Sequence, residues 1–528
     1  MSGGPSEQPA GSDRRRRGLL LLTCCLALFI STLDNTVANV ALPSIGRELH
    51  AGTSALQWVI DAYVVVRGCL LLSAGALGDR FGRRRLFQSG LVVFGIGSLL
   101  CSVAPTVEVL IAARVVQALG GCFLVPSSLA LITEAYPNRR ARAQAIGIWS
   151  ATTGISTGLG PPVGGLLVQY LGWRSVFWIN PPIVLVAILL AARYAPASKQ
   201  TAWRRLDLPG QVLVFVVLIS LTSGFIESSS GQWTSPLVLT LFGIAAVSLG
   251  AFVLVETRTR DALLEPHLFR NAPFSGAALI ATLYFVIYTG FLFVNTLFLQ
   301  EIRGFSPLTA GLLVMPTTIG TVFLAPLSGR LVATRGPRLP VTIAGCTILA
   351  GCLLLSGIAR TAPIWQLVAA YALIGSGSGL VNAPITNAAV SGLPASRAGV
   401  AGAVTSTFRQ VGSALGVALL GSLTFSGFLS ALPQHVDRLH ISGAAAQRVV
   451  DEGRSASQSG GLAAMHGTTP AVAGAIGDAF VAGLHEAYLV AAGCAVLVII
   501  TALTLFRPRP PAQPQPARPP EHAPEGSR

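Results

Sequence analysis

The sequence predicts an all-α polytopic membrane protein, and three observations carry that reading. Of 528 residues, 52% are hydrophobic and only 11% are charged, where a soluble domain carries about 25% charged residues. Continuously apolar runs of some twenty residues recur from end to end, each long enough to cross roughly 30 Å of hydrocarbon. The runs do not alternate apolar and polar positions, which argues against a transmembrane β-barrel. The third observation is the placement of charge. With both termini cytoplasmic, 26 of the 36 basic residues fall in cytoplasmic segments, 7 in outer loops and 3 (Arg67, Arg114 and Arg409) inside spans. That asymmetry is the positive-inside pattern, so the net charge of +15 reflects topology rather than nucleic-acid binding.

Fourteen spans are expected, near 18–40, 55–77, 86–104, 107–131, 144–167, 174–194, 208–226, 236–255, 273–298, 307–328, 339–357, 363–390, 398–425 and 482–506. They group as a disordered tail (1–17), a six-span half (18–194), two further spans with their connectors (195–272), and a second six-span half (273–506). An outer loop at 427–480 and a Pro-rich tail at 507–528 complete the chain. The four arginines of the first tail, Arg14 to Arg17, anchor it on the cytoplasmic side. The first apolar run is too long for a signal peptide and shows no small-residue cleavage site.

The first span contains LDNTVANVALP (33–43), with Asp34, Asn35, Thr36 and Asn39 inside an apolar segment. Ionisable residues in a span usually face a cavity or a pathway; a structural bond to a neighbouring helix is the plainer alternative. Asn35 and Asn39 are four apart and share a helix face. The string resembles the signature on helix 1 of the fourteen-helix drug/proton antiporter branch of the major facilitator superfamily, the EmrB/QacA type. The second span begins LQWVIDAYVVVRG (56–68), and its W-V-x-D-A-Y string resembles the same family. Asp61 and Arg67 are six apart and not stacked. Arg67 departs from the family, which usually has a hydrophobic residue there. Its partner is Asp34, Asp61 or an anionic substrate.

The following loop, GALGDRFGRRR (75–85), matches the superfamily's G-x-L-x-D-R-x-G-R-R signature. The resemblance implies a conformational latch built from Gly75, Asp79, Arg80, Gly82 and Arg83. In the fourth span, LIAARVVQALGGCFLVP (110–126), a lone Arg114 costs at least ~2.5–3.5 kcal/mol on insertion scales and needs a partner. The resemblance makes it the arginine that assists proton transfer, beside Asp34 and Asp61. Gln117 lies one turn away on the same face.

The fifth span, GIWSATTGISTGLGPPVGGLL (147–167), is apolar but full of small residues. As a helix it places Gly147, Gly154, Gly158 and Gly165 on one face, and bare glycine faces let backbones touch in lipid. Pro161 and Pro162 remove donors and bend it. Taken alone this is equally a tight packing face. It resembles the family's antiporter signature through Gly154, Gly158, Gly160, Pro161, Gly164 and Gly165. Residues 173–182 (WRSVFWINPP) resemble the start of helix 6, with aromatics and Arg174 at the outer interface.

The next two spans look like the pair inserted between the halves of twelve-helix relatives. An internal repeat supports the division: Gly329, Leu331, Gly336 and Arg338 match Gly75, Leu77, Gly82 and Arg84 at a constant offset, with Ala333 replacing Asp79. Pro384 corresponds to Pro126. Paired halves with the site between them are the mark of this architecture. In the second half Tyr284, Tyr288, Asn295, Asn382 and Asn387 are candidates to line a cavity or to pack, and Arg409 and Gln410 sit mid-span. Asn35, Asn39, Arg67, Gln117, Tyr284, Tyr288, Asn295 and Arg409 form the expected substrate cavity.

No GxxxxGK[ST] or HExxH string occurs, so neither ATP hydrolysis nor metal chemistry is expected. No cofactor, metal or catalytic residue is expected, and the eight cysteines read as small hydrophobes. The resemblance implies a monomeric, proton-coupled exporter of hydrophobic or amphiphilic drug-like compounds, with the lipid bilayer, protons and the substrate as partners. A dedicated exporter of one endogenous metabolite, lipid or siderophore is the alternative. Arginine outnumbers lysine 35 to 1, which fits a GC-rich bacterium and hence the cytoplasmic membrane.

Overall fold

A computed structural model describes residues 10–196, 207–229, 232–259, 266–391, 398–439, 441, 443–459 and 469–506. The tail 507–528 and most of the connectors 197–206 and 260–265 lie outside the described residues. The first half comprises α1 (Ala10–Leu49), α2 (Thr53–Phe81), α3 (Arg83–Ser102), α4 (Val107–Ala135), α5 (Arg139–Leu171), α6 (Ser175–Trp178) and α7 (Asn180–Tyr194). Then come α8 (Leu208–Ser228) and α9 (Pro236–Arg258). The second half comprises α10 (Ala272–Leu297), α11 (Pro307–Leu313), α12 (Met315–Arg335), α13 (Arg338–Ser356), α14 (Ile364–Val390), α15 (Ala398–Asp437), α16 (Gly443–Ser459) and α17 (Pro470–Leu505). Among the described residues, thirteen helical segments are long and apolar enough to cross a membrane. The expected fifth span, α5, is not among them: 33 residues give length, but its serines, threonines, glycines and arginines dilute its hydropathy.

Two boundaries differ from expectation. Residues 10–17 are the first turns of α1 rather than a tail. The expected loop 427–480 is largely helical, with α15 running to Asp437, α16 filling 443–459 and α17 starting at Pro470. Alanine, glycine and serine there look loop-like by composition. Yet α16 is strongly amphipathic and sets Gly453 against Leu432 of α15.

The internal repeat is visible in the backbone. Gly82 ends α2 at φ 91° and Gly336 ends α12 at φ 79°, conformations that a side chain resists. Within the first half α3 and α4 cross with backbones almost touching. A Cβ on Gly97 would sit 2.5 Å from Gln117 Cα, and one on Gly120 would overlap the Phe94 backbone. Small residues make such crossings possible where lipid offers no hydrophobic drive. This crossing aims Gln117 and Arg114 at α1.

The inserted pair lies over the seam between halves. Gln211 of α8 donates to Cys69 O of α2 (2.7 Å), Ser73 donates back to Gln211, and Ser422 of α15 donates to Phe225 O. The halves also meet at the end of the bundle that carries Arg47. There Arg47 Nη1 lies 3.2 Å from Glu301 Oε1, Gln300 donates to Val40 O (3.0 Å), and Gln57 donates to Val417 O (3.3 Å). At the opposite end Gly75, Gly147, Gly154, Gly329 and Gly402 face open space. The Arg47 end, where these ties join the halves, is the closed end of the bundle.

Two substitutions test the helix crossing. Gly120→Ala is expected to lower the melting temperature by several degrees, because its methyl meets the Phe94 backbone. Gly147→Ala is expected to leave it unchanged or raise it, since the site is open and alanine favours helix by about 1 kcal/mol. Thermal unfolding in detergent reads both.

Candidate functional site

Asp34 sits on α1 with 2% of its surface exposed. Its Oδ2 accepts from Arg114 Nη1 at 2.5 Å. Its Oδ1 accepts from Gln117 Nε2 and from Asn180 Nδ2, both at 2.8 Å. Arg114 is fully buried; Nη1 also donates to Gln117 Oε1 (2.8 Å) and Nε to Val59 O (3.0 Å). Its guanidinium lies 4.4 Å from the Tyr63 ring centroid and 5.8 Å from that of Phe177. Ser98 Oγ accepts from Asn180 (2.8 Å) and Gln117 (3.3 Å) while donating to Phe177 O (3.0 Å). Residues of six helices thus form one network around this carboxylate, with α4 and α7 bonding it directly.

The expectation that Arg114 has a carboxylate partner holds. Asp61 stands apart: it is fully buried on α2, and among the described residues neither carboxyl oxygen has a hydrogen-bond partner. Among the described residues Arg67 pairs with neither Asp34 nor Asp61. It donates to Tyr63 Oη at 3.3 Å, its guanidinium 5.6 Å from the same ring. Tyr63 therefore lies between two arginines, Arg114 and Arg67.

The glycines of α5 serve two partners, not the single packed face expected. Gly160 and Gly164 meet Thr36 and Val37 of α1. Gly158 meets Thr318 of α12, and Gly165 meets Pro307 and Leu308 at α11. Gly311 of α11 in turn packs on Pro161 O. Gly147 and Gly154 touch nothing within 4 Å. The small residues of α5 therefore bring it into close contact with both halves.

Of the expected latch, Gly75 is exposed, Gly82 makes the turn, and Arg80 stacks over Phe81 at 5.2 Å. Arg83 is half-buried, and the Asp79 side chain lies outside the described residues. The expected cavity set divides. Gln117 belongs to the Asp34 network. Asn295 is 1% exposed and accepts from Tyr371 Oη at 2.5 Å, which ties α10 to α14 rather than lining a cavity. Tyr284 and Tyr288 stack at 5.8 Å, near Arg409, which donates to Thr386 Oγ1 at 3.2 Å. Asn39 donates to Asn35 O at 2.9 Å. Its wall, described below, also carries Gln300, which the sequence reading missed. So were Asn180, Ser98 and Tyr63; the one signal was an Asn before Pro-Pro inside an apolar span.

Removing one partner of a buried ion pair costs about 3–5 kcal/mol, because the other charge is stranded. Arg114→Met is therefore expected to destabilise by about that amount. Adding Asp34→Asn to it is expected to recover part of the loss. Thermal unfolding of both single variants and the double variant measures the coupling.

A family model described as Major Facilitator Superfamily matches residues 24–417. Multidrug resistance protein Stp of Mycobacterium tuberculosis is 34% identical over 504 residues, covering 93% of this chain and 92% of that protein. Puromycin resistance protein pur8 of Streptomyces alboniger is 35% identical over 446 residues, 82% of this chain and 87% of that one. Among solved structures, a bacterial homolog of the human lysosomal transporter Spinster, inward-facing and unoccupied, aligns with TM-score 0.62 at 17% identity, covering 96% of this chain and all of that one. With the repeated halves, the shared loop signature and the match across most of its length, this chain belongs to the major facilitator superfamily.

Proposed function

We propose that the protein is a proton-coupled antiporter that exports hydrophobic drug-like compounds or antibiotics across the bacterial cytoplasmic membrane. The observation that carries this is Asp34, a single buried carboxylate whose oxygens take three side-chain donors. Protonating Asp34 removes the charge that holds Arg114 Nη1, weakens the acceptor that the Gln117 and Asn180 amides donate to, and so loosens the tie between α1, α4 and α7. A proton bound there is felt as packing, which is how one ligand alters the affinity for another. The relatives named for multidrug and puromycin resistance support the class of cargo, and the glycine pattern of α5 supports export. α5 is the fourteenth span, both termini are cytoplasmic, and the monomer is the working unit.

The site also bears on substrate charge. Arg114 is neutralised by Asp34, while Arg67 and Arg409 have only neutral partners among the described residues. Neutral or anionic compounds fit that balance better than cations. In everted vesicles with a pH-sensitive dye, puromycin and neutral antibiotics are expected to release protons, and Asp34→Asn is expected to abolish the release. Undiminished release from Asp34→Asn would overturn the coupling assignment; response to lipophilic cations alone would overturn the charge reading.

A further inference from the structure

A small pocket of about 10 Å³ lies at the closed end, between α1, α5, α10 and α11. Its polar wall groups are Thr36 and Asn39 of α1, Thr296 of α10, and Gln300 in the π-helical turn Phe298–Ile302 that follows α10. All four are at least nine-tenths buried. Each directs a donor at a backbone carbonyl. Thr36 Oγ1 donates to Leu33 O (3.0 Å), Thr296 Oγ1 to Leu292 O (2.8 Å), Asn39 Nδ2 to Asn35 O (2.9 Å) and Gln300 Nε2 to Val40 O (3.0 Å). A carbonyl only accepts, so it fixes which end of each amide faces it. The amide oxygens are left over, and both Asn39 Oδ1 and Gln300 Oε1 are buried without a partner.

The wall atoms left with no partner among the described residues are thus two acceptors, Asn39 Oδ1 and Gln300 Oε1. We propose that this pocket is a substrate subsite that takes a hydrogen-bond donor, the amine or hydroxyl of the exported compound. Its size admits at most one such group, so the apolar body of the substrate lies outside it. The inference rests on the efflux reading above. It also supplies a release step. Gln300 and Asn39 belong to different halves, joined by the Gln300–Val40 bond. Opening this end parts the two oxygens, and the donor that bridged them loses its site. Affinity is then high when the protein faces the cytoplasm and low when it faces out, as an exporter requires.

The test uses the full chain in everted vesicles and compares puromycin with a derivative whose amine is a tertiary amide and whose hydroxyls are methyl ethers. Wild type is expected to reach half-maximal proton release at roughly tenfold lower puromycin than derivative, the worth of one buried hydrogen bond. Gln300→Met and Asn39→Leu are expected to raise the puromycin value more than the derivative's, so that the ratio between the two compounds falls toward one. A retained response to the derivative also shows each variant is folded. Equal wild-type values for the two compounds would mean the pocket holds only water and would overturn the subsite. A difference that survives both substitutions would trace to bulk and overturn it as well. Wild type silent to both compounds would overturn the efflux reading for puromycin, and the subsite with it.

Discussion

Two opposite charges with no water to solvate them, Asp34 and Arg114, set the terms for the whole N-terminal half. A lone arginine at mid-span costs a few kcal/mol even on the mildest scale. A buried pair repays desolvation only when the remaining donors and lone pairs are satisfied. Nearly every local feature of this half serves that requirement. Gly97 and Gly120 bring α3 and α4 into backbone contact and so deliver Gln117. The short break between α6 and α7 ends in Asn180, whose amide reaches both Asp34 and Ser98. Tyr63 and Phe177 cover the guanidinium faces.

The second constraint is that two rigid halves must move without losing packing. Glycine on α5 answers it: one set of positions seats the helix on α1, another meets α11 and α12 with little side-chain bulk to interlock. The polar ties between halves at the closed end are few and single, such as Arg47 with Glu301 and Gln300 with Val40 O. Few ties are easily exchanged, and a two-state bundle needs its states close in free energy.

Much of this was legible in the sequence because membrane proteins write their spans in composition. Most span positions and the repeat appear at the expected places, the repeat as matching positive-φ glycines Gly82 and Gly336. Arg114 announced a carboxylate partner by its cost alone. The residues that complete the site were not legible. Asn180 and Ser98 are short polar residues in apolar runs, and nothing in one dimension says which face they take. Asn295 shows the converse: a polar residue in a span that proves to be a packing tie to Tyr371. The segment 427–480 was misjudged because small residues signal a loop by frequency but form α16 when one face packs on α15.

The most direct measurement of the central claim is a distance across the closed end. Spin labels at Leu171, at the end of α5, and Thr309, on α11, report on the separation of the halves as pH is varied in detergent or nanodiscs. If Asp34 is the group that couples protons to conformation, the distance distribution shifts with pH in the wild type and is independent of pH in Asp34→Asn. The same pH dependence in both proteins would contradict the account and move the coupling proton elsewhere, with Asp61 the next carboxyl to examine.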